Sequence, residues 1–152
     1  QSLLETHEEA IRYSQPYSLV LVDIDHFKRV NDQFGHDAGD VTLQILTDEL
    51  QQRLRQADRL ARWGGEEFVL LLPQTSLEGA LLLADALRER VKEASFPLVG
   101  HLTISLGVAE VSPEELPHHA LIRADKALFR AKTNGRDRVE AAESATQRTR
   151  PD

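Results

Sequence analysis

Two acidic clusters carry the chemistry open to this chain. One is Glu66-Glu67, which follows Gly64-Gly65 and precedes Phe68 and the apolar run Val69 to Leu72. The other is Asp23-Ile24-Asp25, which closes an apolar run and is followed by His26-Phe27-Lys28. A glycine pair at a chain reversal has no Cβ to hold a ligand away, so backbone can approach it closely. The apolar run behind the glutamates predicts a buried strand stiff enough to hold them still. In a strand Asp23 and Asp25 share one face and Ile24 takes the other. If the Gly-Gly hairpin lies beside that strand, Asp23 and Glu66 meet at one sheet end. Convergent carboxylates repel one another unless a cation joins them. Mg²⁺ accepts such sparse ligation and completes its octahedron with phosphate oxygens and water. The bland alternatives are ordinary turns, and these do not require Lys28 and Asn31 just after Asp25.

These acids need elements to position them. Residues 3–14 predict an amphipathic helix with Leu4, His7, Glu8 and Ile11 at helical spacing, ended by Pro16. Residues 17–23 predict a strand apolar on both faces and therefore central. A short helical turn over 27–32 and the stretch Gly35-His36-Asp37-Ala38-Gly39 lead to a helix over 40–55. Its stripe is Val41, Leu43, Ile45, Leu46, Leu50 and Leu54. Segments 58–62 and 68–72 flank the Gly-Gly turn as a hairpin, with Trp63 at its corner. Ser76 caps a helix through 94, with Glu78 in its first turn and Leu81-Leu82-Leu83 in its core. A strand over 102–111 and a helix over 117–132 follow, the latter stopped by Asn134-Gly135. Val139 marks a last edge strand, and His118-His119 is assigned no metal. The order predicts an α+β fold: an antiparallel or mixed sheet of about five strands on a ferredoxin-like β-α-β-β-α-β core, flanked by helices. Nucleotidyl-transfer enzymes use such a palm, which is analogy alone.

Composition narrows the class. At 152 residues the chain predicts one domain over 1–141, with 142–152 a disordered tail. Hydrophobic and charged fractions of 41% and 28% are ordinary for a globular protein. No apolar run approaches the ~18 residues a membrane span needs, and there is no secretory signal pattern. The absence of cysteine removes disulfides and thiolate metal sites and fits a reducing, cytoplasmic setting. The chain has no methionine, even at position 1, which leads us to expect that it is a piece of a longer protein. A net charge of −7 weighs against nucleic acid and anionic membranes as partners. A polyphosphate would need local cations, for which Lys28, Lys132 and Arg136 are the candidates.

The sequence resembles the GGDEF domains, the diguanylate cyclases, in their GGEEF variant, and the likeness spans nearly the whole chain. Besides Gly64 to Phe68 it includes Asp23 to Lys28, Asn31-Asp32, Phe34-Gly35-His36 and Gly39-Asp40. It continues through Ser105 to Ala109, Ala124 to Lys132 and Asn134 to Asp137. The resemblance implies that Asp23, the Ile24 carbonyl and Glu66 bind Mg²⁺, or Mn²⁺ in its place. Glu67 is implied to be a companion acid, a further ligand or a base. Backbone near Phe27, with Gly64, Gly65, Lys28, Lys132 and Arg136, would hold a GTP triphosphate, and Asn31 and Asp40 would read guanine. That last role has chemical sense of its own, because guanine N1–H and N2–H₂ donate to a carboxylate and adenine offers no such donors. A helix N-cap is an equally good reading of Asp40 by position.

Arg55-Gln56-Ala57-Asp58 resembles the family's Arg-x-x-Asp inhibitory site, where cyclic di-GMP binds away from the catalytic centre. Arginine suits phosphate or the guanine edge, although a local ion pair at a helix end explains the same four residues. Where a further arginine is expected on the next helix the chain has Ala86, leaving Arg88 or Arg90 to substitute. The implied activity is the condensation of two GTP into cyclic di-GMP and two pyrophosphates, across a two-fold homodimer that the isolated domain forms transiently. A catalytically silent module binding GTP or cyclic di-GMP is the alternative, and another nucleotidyl-transfer palm is a third. The Asp-x-Leu-Thr and Asn-Arg stretch expected before the first helix is absent, and an upstream sensory or regulatory domain is expected to precede it.

Overall fold

The computed structural model describes residues 3–144. In chain order its elements are α1 (Leu3–Tyr13), β1 (Tyr17–Ile24), α2 (Phe27–Phe34), α3 (His36–Gln51), β2 (Arg59–Arg62) and β3 (Glu67–Leu72). These are followed by α4 (Leu77–Glu93), β4 (Ile104–Val111), α5 (Pro117–Thr133) and β5 (Arg138–Ala141). One five-stranded sheet has the order β2-β3-β1-β4-β5. β1 is antiparallel to both β3 and β4, and β2 to β3, while β5 joins β4 in parallel. The α+β class, the mixed sheet and the ferredoxin-like core therefore stand as expected.

β1 is central and buried on both faces because Leu19 to Val22 are apolar at every step. Val20, Val22 and Ile24 pack in the main core with Leu43, Leu46 and Leu50 of α3 and Ala84, Leu87 and Val91 of α4. On the opposite face Tyr17 and Leu19 meet Ala10, Leu71, Val111 and Ala120. Nearby, Leu21 packs on Ala109, Ala124, Ala127 and Ala142. The small side chains of α5 allow the helix to lie close on the sheet. Closest of all is Gly107 in β4, where an added Cβ would stand 2.3 Å from the Ala124 carbonyl oxygen and 2.4 Å from the Leu128 nitrogen.

Several expectations need correction. α3 starts at His36, four residues earlier than the apolar stripe suggested, with Gly35 at φ 89° closing off α2. Asp40 thus lies in the second turn of α3 and caps nothing. Val41 is 48% exposed and Leu82 is 71% exposed. Each lies two positions from buried neighbours, about 200° around its helix. In α1 the inward positions are His7 and Ala10, while Ile11 faces solvent, because the His7 ring hydrogen-bonds the Tyr17 hydroxyl at 2.9 Å. The chain also stays attached beyond residue 141: the Ala142 N–H donates to the Val108 carbonyl, and the Glu143 carbonyl accepts from Arg123. The rest of the expected tail, 145–152, lies outside the described residues. Among the described residues, no helix is long and apolar enough to cross a membrane.

The α5–β4 contact makes Gly107→Ala a severe substitution. Overpacking against helix backbone should cost about 1–3 kcal/mol, read as a lower midpoint in denaturant. Gly65→Ala, where an added Cβ meets nothing within 4 Å, should leave the midpoint near wild type.

Candidate active site

Strand register brings the two acidic clusters together. Asp23 stands opposite Glu67 on β3 and Ser105 on β4, and the Ile24 N–H points to the Glu66 carbonyl at 3.4 Å. The Asp23 carboxylate is buried. Its Oδ2 accepts from Lys132 Nζ of α5, whereas its Oδ1 has no hydrogen-bond partner. Both glutamates are half-buried, and their carboxyls are pushed above the ordinary range, by burial first and by the Asp23 charge second. Lys132 opposes both shifts, and Asp125 adds to that of Glu67. Among the described residues no three acids or histidines close into a ready-made metal cluster. The structure instead offers an orphaned buried carboxylate oxygen, two neighbouring glutamates and a lysine already serving as their cation. Hard oxygen donors in small number suit a divalent ion that completes its shell from a phosphate chain and water.

Asp25 is not part of that donor set. Its carboxylate accepts from the Thr103 and Ser105 hydroxyls, both at 2.7 Å, and from the Asp137 N–H at 3.0 Å. It ties the end of β1 to β4 and to the turn after α5.

A cleft of about 180 Å³ opens beside Glu66, lined by Phe27, Asn31, His36, Asp40, Leu43, Arg62 and Gly65. Asn31 and Asp40, expected to read a base, and Glu66, expected to bind a metal, therefore line one cavity. Asn31 lies tight against α3, since a Cβ on Gly39 would come within 2.0 Å of its Oδ1. Arg62 braces the turn: its guanidinium donates to the Gly65 carbonyl at 2.7 Å and the Gly64 carbonyl at 3.2 Å. Gly64 itself sits at φ 91°, where a side chain would be strained. Lys28 is exposed on the first turn of α2, and Arg136 stands on the turn after α5. Neither forms an ion pair among the described residues.

Arg55 and Asp58 lie apart from this cleft. Every oxygen of the Asp58 carboxylate is taken by Arg55, from its backbone N–H at 2.9 Å and its guanidinium at 2.7 to 3.2 Å. Arg55 also donates to the Pro73 carbonyl and the Thr75 hydroxyl, yet its side chain remains 55% exposed. Arg90, one turn beyond Ala86 on the same face of α4, reaches Glu49 and Gln52 near the end of α3. Arg88 points elsewhere, to Asp85, Glu89 and Asp137. Trp63 is half exposed and lines a wider groove with Leu21, Phe68, Leu121 and Ile122.

Sequence reasoning missed Arg62 and His36 as cleft residues, and the anchoring role of Asp25. The place of Arg62 directly before Trp63 and the glycine pair was the available signal, because a turn with free carbonyls needs a donor nearby.

Comparisons with known proteins bear on the family and the fold. The family model described as "Diguanylate cyclase, GGDEF domain" matches residues 1–138. The chain is 50% identical over 127 residues to diguanylate cyclase DgcP of Pseudomonas aeruginosa, covering 82% of this chain and 19% of that protein. It is 46% identical over 129 residues to DgcM of Escherichia coli K12, covering 85% of this chain and 32% of that protein. The chain thus spans a third or less of these relatives. Among solved structures, the active GGEEF domain of a Vibrio cholerae diguanylate cyclase superposes with a TM-score of 0.87 at 36% identity, over 93% of this chain and 92% of that one. The GGDEF domain of DgcB from Caulobacter crescentus, in complex with c-di-GMP, also gives 0.87, at 33% identity over 92% and 85% of the two chains.

The raised carboxyl of Glu66 means that the folded state holds its proton more tightly than the unfolded chain. Its charged form therefore costs stability at neutral pH, and the cost disappears as pH falls through the folded value to below ~4. In chelator, Glu66→Gln should melt above wild type at neutral pH, and the two should converge in acid. Calorimetry across pH measures this, and added divalent cation should raise the wild-type midpoint alone.

Proposed function

Because this chain belongs to the family of GGDEF-domain diguanylate cyclases, we propose that it condenses two GTP molecules into cyclic di-GMP, releasing two pyrophosphates. The observation that carries the reading is the single cleft with Asn31 and Asp40 on its wall and Gly65-Glu66 at its edge, beside the unpartnered oxygen of Asp23. Asp40 accepts from guanine N1–H and N2–H₂, and Asn31 completes the base contacts. ATP leaves those acceptors unpaired, at a cost in affinity of at least ~100-fold if two buried hydrogen bonds are lost.

The glycine turn lets the phosphate chain pass close to backbone, and Lys28, Arg136 and backbone near Phe27 hold it. Lys132 neutralises Asp23 and is free to follow the triphosphate once another cation shares that carboxylate. Asp23, the Ile24 carbonyl, Glu66 and Glu67 would hold Mg²⁺, or Mn²⁺ in its place, which supplies charge neutralisation at the phosphates and polarises the α-phosphorus. The 3′-hydroxyl of one GTP attacks the α-phosphorus of the other, and the bond to pyrophosphate breaks. Glu67, with its raised pKa, serves either as a ligand or as acceptor of the 3′-hydroxyl proton. Each domain presents one nucleotide, so two copies must face one another across a two-fold axis. GTP as substrate places the reaction in the cytoplasm.

Arg55, with Arg90 in place of the missing arginine at Ala86, forms the product-inhibition site in this reading. The role of Asp58 there is to orient Arg55, since its own oxygens are occupied.

The test of the activity is incubation of the protein with Mg²⁺ and GTP, with nucleotides resolved by chromatography. Cyclic di-GMP should accumulate at a rate rising faster than linearly with dilute enzyme, ATP should give no product, and Asp23→Ala or Glu66→Ala should abolish turnover while remaining folded. For inhibition, Arg55→Ala should keep the early rate but lose the slowing that accompanies product accumulation. Identical progress curves would reduce the Arg55–Asp58 pair to a local ion pair.

A further inference from the structure

Asp137 lies outside the cleft, yet it ties α4 and the turn after α5 to the end of β1, the strand that bears Asp23. Its carboxylate accepts from Arg88 Nη1 at 2.9 Å and Lys92 Nζ at 2.8 Å, both on α4. Its backbone N–H donates to Asp25, the buried carboxylate two residues beyond Asp23. It belongs to the turn between α5 and β5, which also bears Arg136. That turn is strained: Gly135, Arg136 and Asp137 have φ of 122°, 63° and 47°. Two successive side-chain-bearing residues in the left-handed region persist only where the surroundings hold them there. Here the holding contacts are the Arg136 N–H to the Ala131 carbonyl at 2.9 Å, the Asp137 N–H to Asp25, and the two cations of α4.

A purely stabilising role accounts poorly for this arrangement. Ion pairs at partly exposed positions add little to stability. Here the Lys92 side chain is 52% exposed and that of Asp137 24%, while Arg88, at 14%, is already paired with Asp85 and Glu89. Positional fixation is a different matter, because a small displacement of a group that meets substrate is costly in function. Burial opposes the charged form of Asp137, but Lys92 and Arg88 prevail and hold its carboxyl below the ordinary range, so the clamp stays charged at neutral pH. Asp85 and Glu89 also reach Arg88 and keep that guanidinium oriented along α4.

We propose that Asp137 is a positioning residue for the nucleotide's triphosphate, fixing the turn that presents Arg136 by clamping it to Arg88 and Lys92 of α4 and to the strand end that bears Asp23. This rests on the reading of the cleft as a GTP site.

The experiment is calorimetric titration of Mg·GTP, with guanosine as a phosphate-free probe followed by NMR. It compares wild type, Asp137→Asn, the pair Arg88→Met with Lys92→Met, and all three changes combined. Asparagine keeps the backbone N–H and tolerates the left-handed conformation, so the variant should fold with a melting point close to wild type. The expected result is GTP binding weakened about tenfold, the scale of one misplaced charge-assisted hydrogen bond, with guanosine binding unchanged. The α4 pair should show the same loss, and the triple variant no further loss, because all act through one contact. Wild-type GTP affinity in Asp137→Asn, or equal weakening of GTP and guanosine, overturns the positioning role while leaving the GTP reading intact. Failure of the wild-type protein itself to bind Mg·GTP overturns both.

Discussion

One carboxylate oxygen without a partner, buried at the end of the central strand, is the constraint that the surrounding structure serves. Burying an ionised group is unfavourable unless it is paired and hydrogen-bonded, and Asp23 is only half provided for, through Lys132. Two glutamates beside it increase the strain of like charge. Such a cluster cannot hold itself together. It persists because β1 is clamped by antiparallel neighbours on both edges and packed by helices on both faces. The carboxylates cannot drift apart to relieve their repulsion, and this makes the site receptive to a small, highly charged cation and to the phosphates that accompany it.

The features legible in the sequence follow from short periods. The unbroken apolar run of β1 announced a strand buried on both faces, and the alternation of Asp23, Ile24 and Asp25 put two acids on one side. Adjacency of the hairpin then brought Glu66 and Glu67 to the same end. What could not be read depends on contacts distant along the chain. Lys132 meets Asp23 from 109 positions away, and the three donors that occupy Asp25 come from residues 103, 105 and 137. With no view of those donors, Asp25 could be placed on the same face as Asp23 but given no role of its own. Gly35 and Gly39 read as a loop by propensity, yet Gly39 lies inside α3, at a helical position where Asn31 leaves no room for a Cβ. The Arg55–Asp58 spacing suggested a pair but not that the arginine would consume every oxygen of the aspartate.

α4 has two polar allegiances. Arg90 turns toward the end of α3, near the connection that bears Arg55, and Arg88 with Lys92 turns toward the turn after α5. Between these rows Ala84, Leu87 and Val91 fix the helix to the sheet. A helix so anchored acts as a rigid strut, holding two distant polar regions at constant separation although the chain is acidic overall and its surface charges repel.

The strand order also has a consequence for how the molecule is made. β1 emerges early in synthesis, but the strand on one of its edges, β4, begins at Ile104, after α4 is complete. Until then an apolar strand has an open edge, the kind of surface on which nascent chains associate wrongly. The pairings that close the sheet are remote in sequence, a topology that folds slowly compared with local helical contacts. Lys132 arrives later still, so the acids remain without their internal counter-ion until the last helix docks. No partly synthesised form of this chain holds the assembled site, and ligand affinity reports completion of the whole fold.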